Sequence, residues 1–245
     1  KGLAEGSIGG DKKMIGWYSW HVVTANVPVK DFAKEIVVTL DDGSKTDHSV
    51  EQYAQWLIDP ENGQSVEVVN IAKALLDYGT AANKYFTERD TEDAVENPSY
   101  NNDLAAVTIA DSYAPVIFNT EILGYKAEGA TLVAEENTHI RLYFTGNALT
   151  DENVTVTNAY GKSEDFEIVE VGKYHAVVIS GIHANVLDTV YTVTVTNEQD
   201  QTIQISYSAL GYAYTALQSE ATGNNMKTLA KALYKYWEAA NRLAS

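Results

Sequence analysis

Two stretches of this chain, far apart, spell nearly the same helix. Residues 72–83, AKALLDYGTAAN, align with residues 230–241, AKALYKYWEAAN, at an offset of 158 with eight identities in twelve. A repeat of that kind constrains the fold before any single element is assigned, because both copies must bury the same stripe. Val68, Ile71, Leu75, Tyr78, Ala82 and Tyr85 answer to Met226, Leu229, Leu233, Tyr236, Ala240 and Leu243. Steps of three and four place each set on one helix face, which predicts helices over about 66–86 and 226–244 with Tyr78 and Tyr236 in equivalent core positions.

The match extends upstream. Ser49 to Ala54 aligns with Ser208 to Ala213 at an offset of 159. Ser49 and Gln52 have the spacing of a capping box, and Val50, Tyr53, Ala54, Leu57 and Ile58 form the apolar stripe of a short helix. Asp59 to Gly63 and Ser219 to Asn225 then break the chain, so each copy ends in a helical hairpin. Earlier still, Val22-Val23 and Glu35 to Leu40 match Val177-Val178 and Val190 to Val195 at an offset of 155, and these stretches alternate as strands do.

The second copy carries further strand signals. Ile140, Leu142 and Phe144 share one face of Thr138 to Thr145. Val154 to Thr157, Asp165 to Val171 and Tyr174 to Ile179 follow between turn residues. Short strands at this spacing point to an immunoglobulin-like sandwich. The expected fold class is therefore α+β: two related units, each antiparallel β followed by an α-helical hairpin, the sandwich lying in the second. Residues 1–90 form the abbreviated first repeat, 91–115 a linker with a short helix, and 116–245 the second repeat.

Composition narrows the function. With 34 Asp+Glu against 17 Lys+Arg, the net charge of −17 repels phosphate backbones and anionic lipid, so nucleic acid is excluded as a partner. The apolar stretches are too short for membrane insertion, and the opening Lys1-Gly2-Leu3 reads as a mature domain or an excised fragment. Zero cysteine removes disulfides, thiolate metal sites and a cysteine nucleophile, and with abundant Thr, Asn, Tyr and Asp suits an extracellular bacterial module.

No catalytic signature stands out. The chain has no G-x-S-x-G, H-E-x-x-H, phosphate-loop or dinucleotide motif, so neither enzyme chemistry nor a cofactor is expected. His21, His48, His139, His175 and His183 are never paired at i, i+2 or i+4, and no metal site is expected from them. Asp41, Asp42 and Asp47 around Gly43 offer carboxylates for Ca²⁺ but lack the alternating ligands and closing Glu of an EF-hand, and a hairpin turn is the stronger account. Among so many acids some pair always falls at glycosidase spacing, and nothing marks one out.

Trp17-Tyr18-Ser19-Trp20-His21 is the unusual cluster. On a strand Tyr18 and Trp20 share a face and Trp17 takes the other, so one core cannot cover all three rings. Trp17, Tyr18 and Trp20 are the candidate binding residues, either as a platform for sugar rings or as a hot spot for a protein, with core packing as the plain alternative.

Tyr191 to Val195, Tyr207 to Ala213 and Ala230 to Asn241, with a weaker copy over Ser49 to Phe86, resemble the tandem modules of large surface proteins of gut anaerobic Gram-positive bacteria. That group includes immunoglobulin-binding proteins of the B-cell superantigen kind, and other members accompany carbohydrate-active domains. The resemblance implies a non-catalytic adhesion module, extracellular on the bacterial cell surface, with no catalytic residues to carry over. Its expected partner is a host protein such as an immunoglobulin variable region. A glycan ligand, or a spacer role, is the alternative.

Overall fold

The computed structural model describes residues 2–8, 11–18, 27–39, 42–88, 100, 103–134 and 138–244. Its centre is set by alternating sequence. In β8 (Thr138–Gly146) every second residue points inward, so Ile140, Leu142 and Phe144 are buried while their neighbours are partly exposed. The same alternation acts in β9 (Val154–Asn158), β12 (Tyr191–Thr196) and β13 (Thr202–Tyr207), which bury Val154, Val156, Val193, Val195, Ile203 and Ile205. β11 (Tyr174–Ile179) is buried along most of its length.

With β5 (Val116–Phe118), β6 (Glu121–Ile122), β7 (Tyr125–Ala134) and β10 (Glu167–Val171), these strands make two antiparallel sheets. The five-stranded sheet runs β10-β11-β8-β7-β6 and the four-stranded sheet β5-β13-β12-β9. Pairings such as Val193↔Ile205, Val195↔Ile203 and Val177↔Leu142 hold the register, and both inner faces belong to one core. Each fully buried Val, Leu, Ile or Phe stabilises by about 1.5–3 kcal/mol, so this core is the main source of stability.

Four α-helices accompany the sandwich among the described residues: α1 (Val50–Ile58), α2 (Val66–Glu88), α3 (Ala209–Gln218) and α4 (Asn224–Ala244). α1 starts at the capping box, with Gln52 N–H donating to Ser49 Oγ and Ser49 N–H to Gln52 Oε1, both at 3.0 Å. Ser208 caps α3 by accepting from Gly211 N–H at 2.9 Å. α2 is buried on two sides. One side meets Phe32 and Ala54, while Tyr78, Ala81 and Ala82 join the core shared by α4 and the sandwich. Tyr78 stacks on Tyr236 at 5.5 Å between centroids and 16° between planes.

The expectation of two related units, each a sheet with its own helical hairpin, is not met. Among the described residues before α1 the strands form two separate two-stranded ribbons, β1 (Gly2–Ile8) with β2 (Asp11–Tyr18) and β3 (Ile36–Thr39) with β4 (Lys45–His48). The described molecule is mostly β, with thirteen strands, nine of them in the two sheets of the sandwich. The physical reason lies in what a stripe specifies: periodicity states which helix face is apolar and leaves open what covers it. Here the matching faces of α2 and α4 cover each other through Tyr78 and Tyr236. The helix positions then diverge: Gly79 receives the Phe32 ring, whereas its counterpart Trp237 fills the space itself and donates to Asp188 Oδ1 at 3.2 Å.

Tyr53, expected within a buried stripe, is 63% exposed. Of that stripe only Ala54 is fully covered, because α1 is short and rests on α2 along a narrow line.

Candidate binding surface

The sandwich has four sheet edges, and three of them carry a protective device. Beyond β9, Thr157 bridges to Ser163 and Glu164 N–H donates to the Val156 carbonyl at 3.0 Å, so backbone groups there are already paired. β10 presents Glu167 and Glu170, and β6 has two residues and begins with Glu121. Covering, charge and brevity are the usual guards of an edge.

β5, three residues long, carries neither cover nor charge. Pro115, which lacks an N–H, precedes it. Asn119 follows with φ of 58°, a left-handed conformation Asn tolerates, which turns the chain from the four-stranded sheet into β6 of the other. Between these stops lie Val116, Ile117 and Phe118, exposed to 49%, 50% and 59%. On one side they pair with Ser206, Ile205 and Gln204 of β13, and on the other no strand is present among the described residues. Leu123 stands out beside them at 69% exposure.

An open groove of about 790 Å³ continues from this edge, lined by Asn119, Glu121, Ile122, Leu123, Asp200 and Thr202 among others. Side chains tie its walls together: Asn119 Nδ2 donates to the Thr202 carbonyl at 3.0 Å, and Asn197 Nδ2, from the β12–β13 turn, to the Leu123 carbonyl at 3.1 Å. Among the described residues Glu121 and Asp200 are the charged groups of the lining, with no basic residue beside them.

A second exposed feature lies on α1. Tyr53 and Trp56, one turn apart, stack with centroids 6.1 Å apart and planes 11° from parallel, and Trp56 is 49% exposed. A third, more enclosed cavity of about 160 Å³ is apolar and lies among Tyr78, Tyr85, Leu132, Tyr212, Met226 and Leu233. Burial raises the Tyr212 phenol above its ordinary value, with Tyr85 adding to the shift.

Of the residues singled out in the sequence, Trp17 and Tyr18 close β2 opposite Leu3 and Gly2. Their side chains, and Trp20 and His21 altogether, lie outside the described residues. Of the described histidines, His48 Nε2 is 3.0 Å from Thr46 Oγ1, and His175 is 4.0 Å from Glu170. Asp42 closes the β3–β4 turn by accepting from both the backbone and hydroxyl of Ser44, which holds its carboxyl below the ordinary range, and Asp41 lies outside the described residues. Among the described residues no group of three or more metal-ligating side chains converges, and no helix is long and apolar enough to cross a membrane.

Sequence reasoning missed both exposed surfaces. β5 is three apolar residues with no alternation to reveal it, and Trp56 falls outside the stripe that suggested α1. No family model matches the chain, and comparisons with curated proteins and with solved structures found no match.

Proposed function

We propose that the chain is a non-catalytic binding module of a bacterial surface protein and that it takes a folded host protein, an immunoglobulin variable region in the first instance, at the β5 edge. The observation that supports this reading is the run Val116-Ile117-Phe118, three large apolar side chains about half exposed beside Leu123. Contiguous apolar surface of that kind on a folded domain favours a protein contact, whose energy is concentrated in a few central residues. Placing the site on strands of a rigid sandwich suits a contact that needs little rearrangement.

The test is an assay of purified immunoglobulin Fab fragments beside a glycan array, using wild type and Ile117→Lys. Fab capture lost in the variant supports the reading, whereas Fab capture unchanged in the variant, or none by wild type, counts against it.

The stacked Tyr53–Trp56 pair favours a second reading, a glycan-binding module, because exposed and nearly parallel rings offer an apolar face to a sugar ring. Glycan binding abolished by Trp56→Ala and indifferent to Ile117→Lys would select it. A spacer role predicts no ligand in either assay.

A further inference from the structure

Resting on the protein-binding reading, we infer how the partner engages β5: it adds an extended, basic segment as a further antiparallel or parallel strand on the open side of Val116–Phe118. Three observations converge on that mode. The first is the contrast between edges: the other three edges of the sandwich are covered, charged, or cut to two residues, whereas among the described residues β5 presents consecutive apolar side chains with no strand on its outer side.

The second is location. Residues 116–122 pass from the edge of one sheet to the edge of the other, and the groove opens at the Phe118 end of β5, beyond Asn119, within reach of a segment that extends past the three ladder positions. Strand addition draws affinity from main-chain hydrogen bonds and specificity from pockets for alternate side chains. With three residues, β5 provides few ladder bonds, and the apolar side chains together with the groove must supply the rest.

The third is charge. Among the described residues Glu121 and Asp200 are the charged groups lining the groove, and the chain as a whole carries −17. A segment bearing Lys or Arg where it reaches the groove is complementary, and an acidic one meets like charge. Lys126, across the ladder from Glu121, is the nearest cation, and it is shared with Glu128 at 3.0 Å, so the acids here still outnumber it.

The test uses the full chain with two capped peptides, alternating Lys-Val-Lys-Ile-Lys-Val and its counterpart with Glu in place of Lys, and with purified Fab. Hydrogen exchange at residues 116–118 is read with and without each probe. The lysine peptide is expected to bind saturably and to slow exchange there about tenfold or more, while the glutamate peptide does neither. Glu121→Lys, an exposed change that leaves the core intact, should weaken the lysine peptide about tenfold. Ile117→Lys and Phe118→Lys should each abolish binding, and Phe118→Lys, at the most exposed of the three positions, should do so with an unchanged melting temperature.

Exchange at 116–118 that stays fast when the lysine peptide is bound overturns the inference, as does indifference to Glu121→Lys. Slow exchange without any probe, accompanied by a concentration-dependent dimer in ultracentrifugation, also overturns it by assigning the edge to a second copy. Fab binding lost in Ile117→Lys with exchange still fast in the Fab complex removes strand addition and leaves the protein-binding reading. Strand addition of the lysine peptide with no Fab binding supports the inference and removes the immunoglobulin partner.

Discussion

Position 79 illustrates how one residue separates two helices that look alike. A Cβ on Gly79 falls 2.4 Å from the Phe32 ring, so the glycine is a socket for an aromatic delivered from another part of the chain. Phe32 is 4% exposed and anchors the small core shared by α1 and α2. Phe32→Ala is therefore expected to cost about 3–5 kcal/mol in urea unfolding. Nothing around Gly79 in the sequence announces its partner, because the contact is between distant residues. Tyr78 was legible as a core residue, and it is buried. Tyr53 was assigned to the same kind of stripe and is exposed, since a period cannot say how wide the covering surface is.

The buried phenols set an alkaline limit. Burial pushes the Tyr207 phenol up to about 12 from an ordinary 10.0, partly opposed by its hydrogen bond with Thr215, and Tyr78 is raised further by burial and by Tyr236. The folded state holds these protons to higher pH than the unfolded chain does. The stability they confer is complete below about pH 10 and is lost as pH rises through about 12. Denaturant midpoints measured from pH 9 to 12 should fall above pH 10, and Tyr207→Phe should flatten part of that decline.

Among the elements, those with strong local signals were readable and those held by context were not. β8, β9, β11, β12 and β13 follow from alternation, and α1 starts at the Ser49–Gln52 box foreseen for it. Ser49→Ala should cost about 0.5–2 kcal/mol by leaving the Gln52 N–H without its acceptor, a loss that thermal melts can register. β7 escaped notice because a bulge between Ala127 and Gly129 breaks its alternation, and small residues weaken its apolar signal. β5 escaped because three residues are too few to show a period. The candidate site was thus hidden by the brevity that makes its edge distinctive. Trp56→Ala, on the exposed face of α1, should change stability by no more than about 0.5 kcal/mol.

At the scale of the molecule, the internal repeat survives as a meeting of like faces. Tyr78, Ala81 and Ala82 of α2 share one core with Leu229, Leu233 and Trp237 of α4 and with Phe144 of the sandwich. The repeat in sequence suggested two related units, and the core that α2 shares with α4 and the sandwich predicts cooperative loss of sandwich and helices together. Calorimetry of wild type and Leu233→Ala should show one main transition, displaced as a whole by a change of about 2–5 kcal/mol.

A shared core also makes the molecule a firm platform on which β5 is the least guarded sandwich edge among the described residues. The most direct test of that role is calorimetric titration of an immunoglobulin Fab into wild type, Ile117→Lys and Trp56→Ala. The expected result is saturable binding by wild type and Trp56→Ala, with a loss of at least about 2 kcal/mol in Ile117→Lys, as for a central interface residue. Binding retained by Ile117→Lys, or absent from wild type while glycans bind through Trp56, would contradict it.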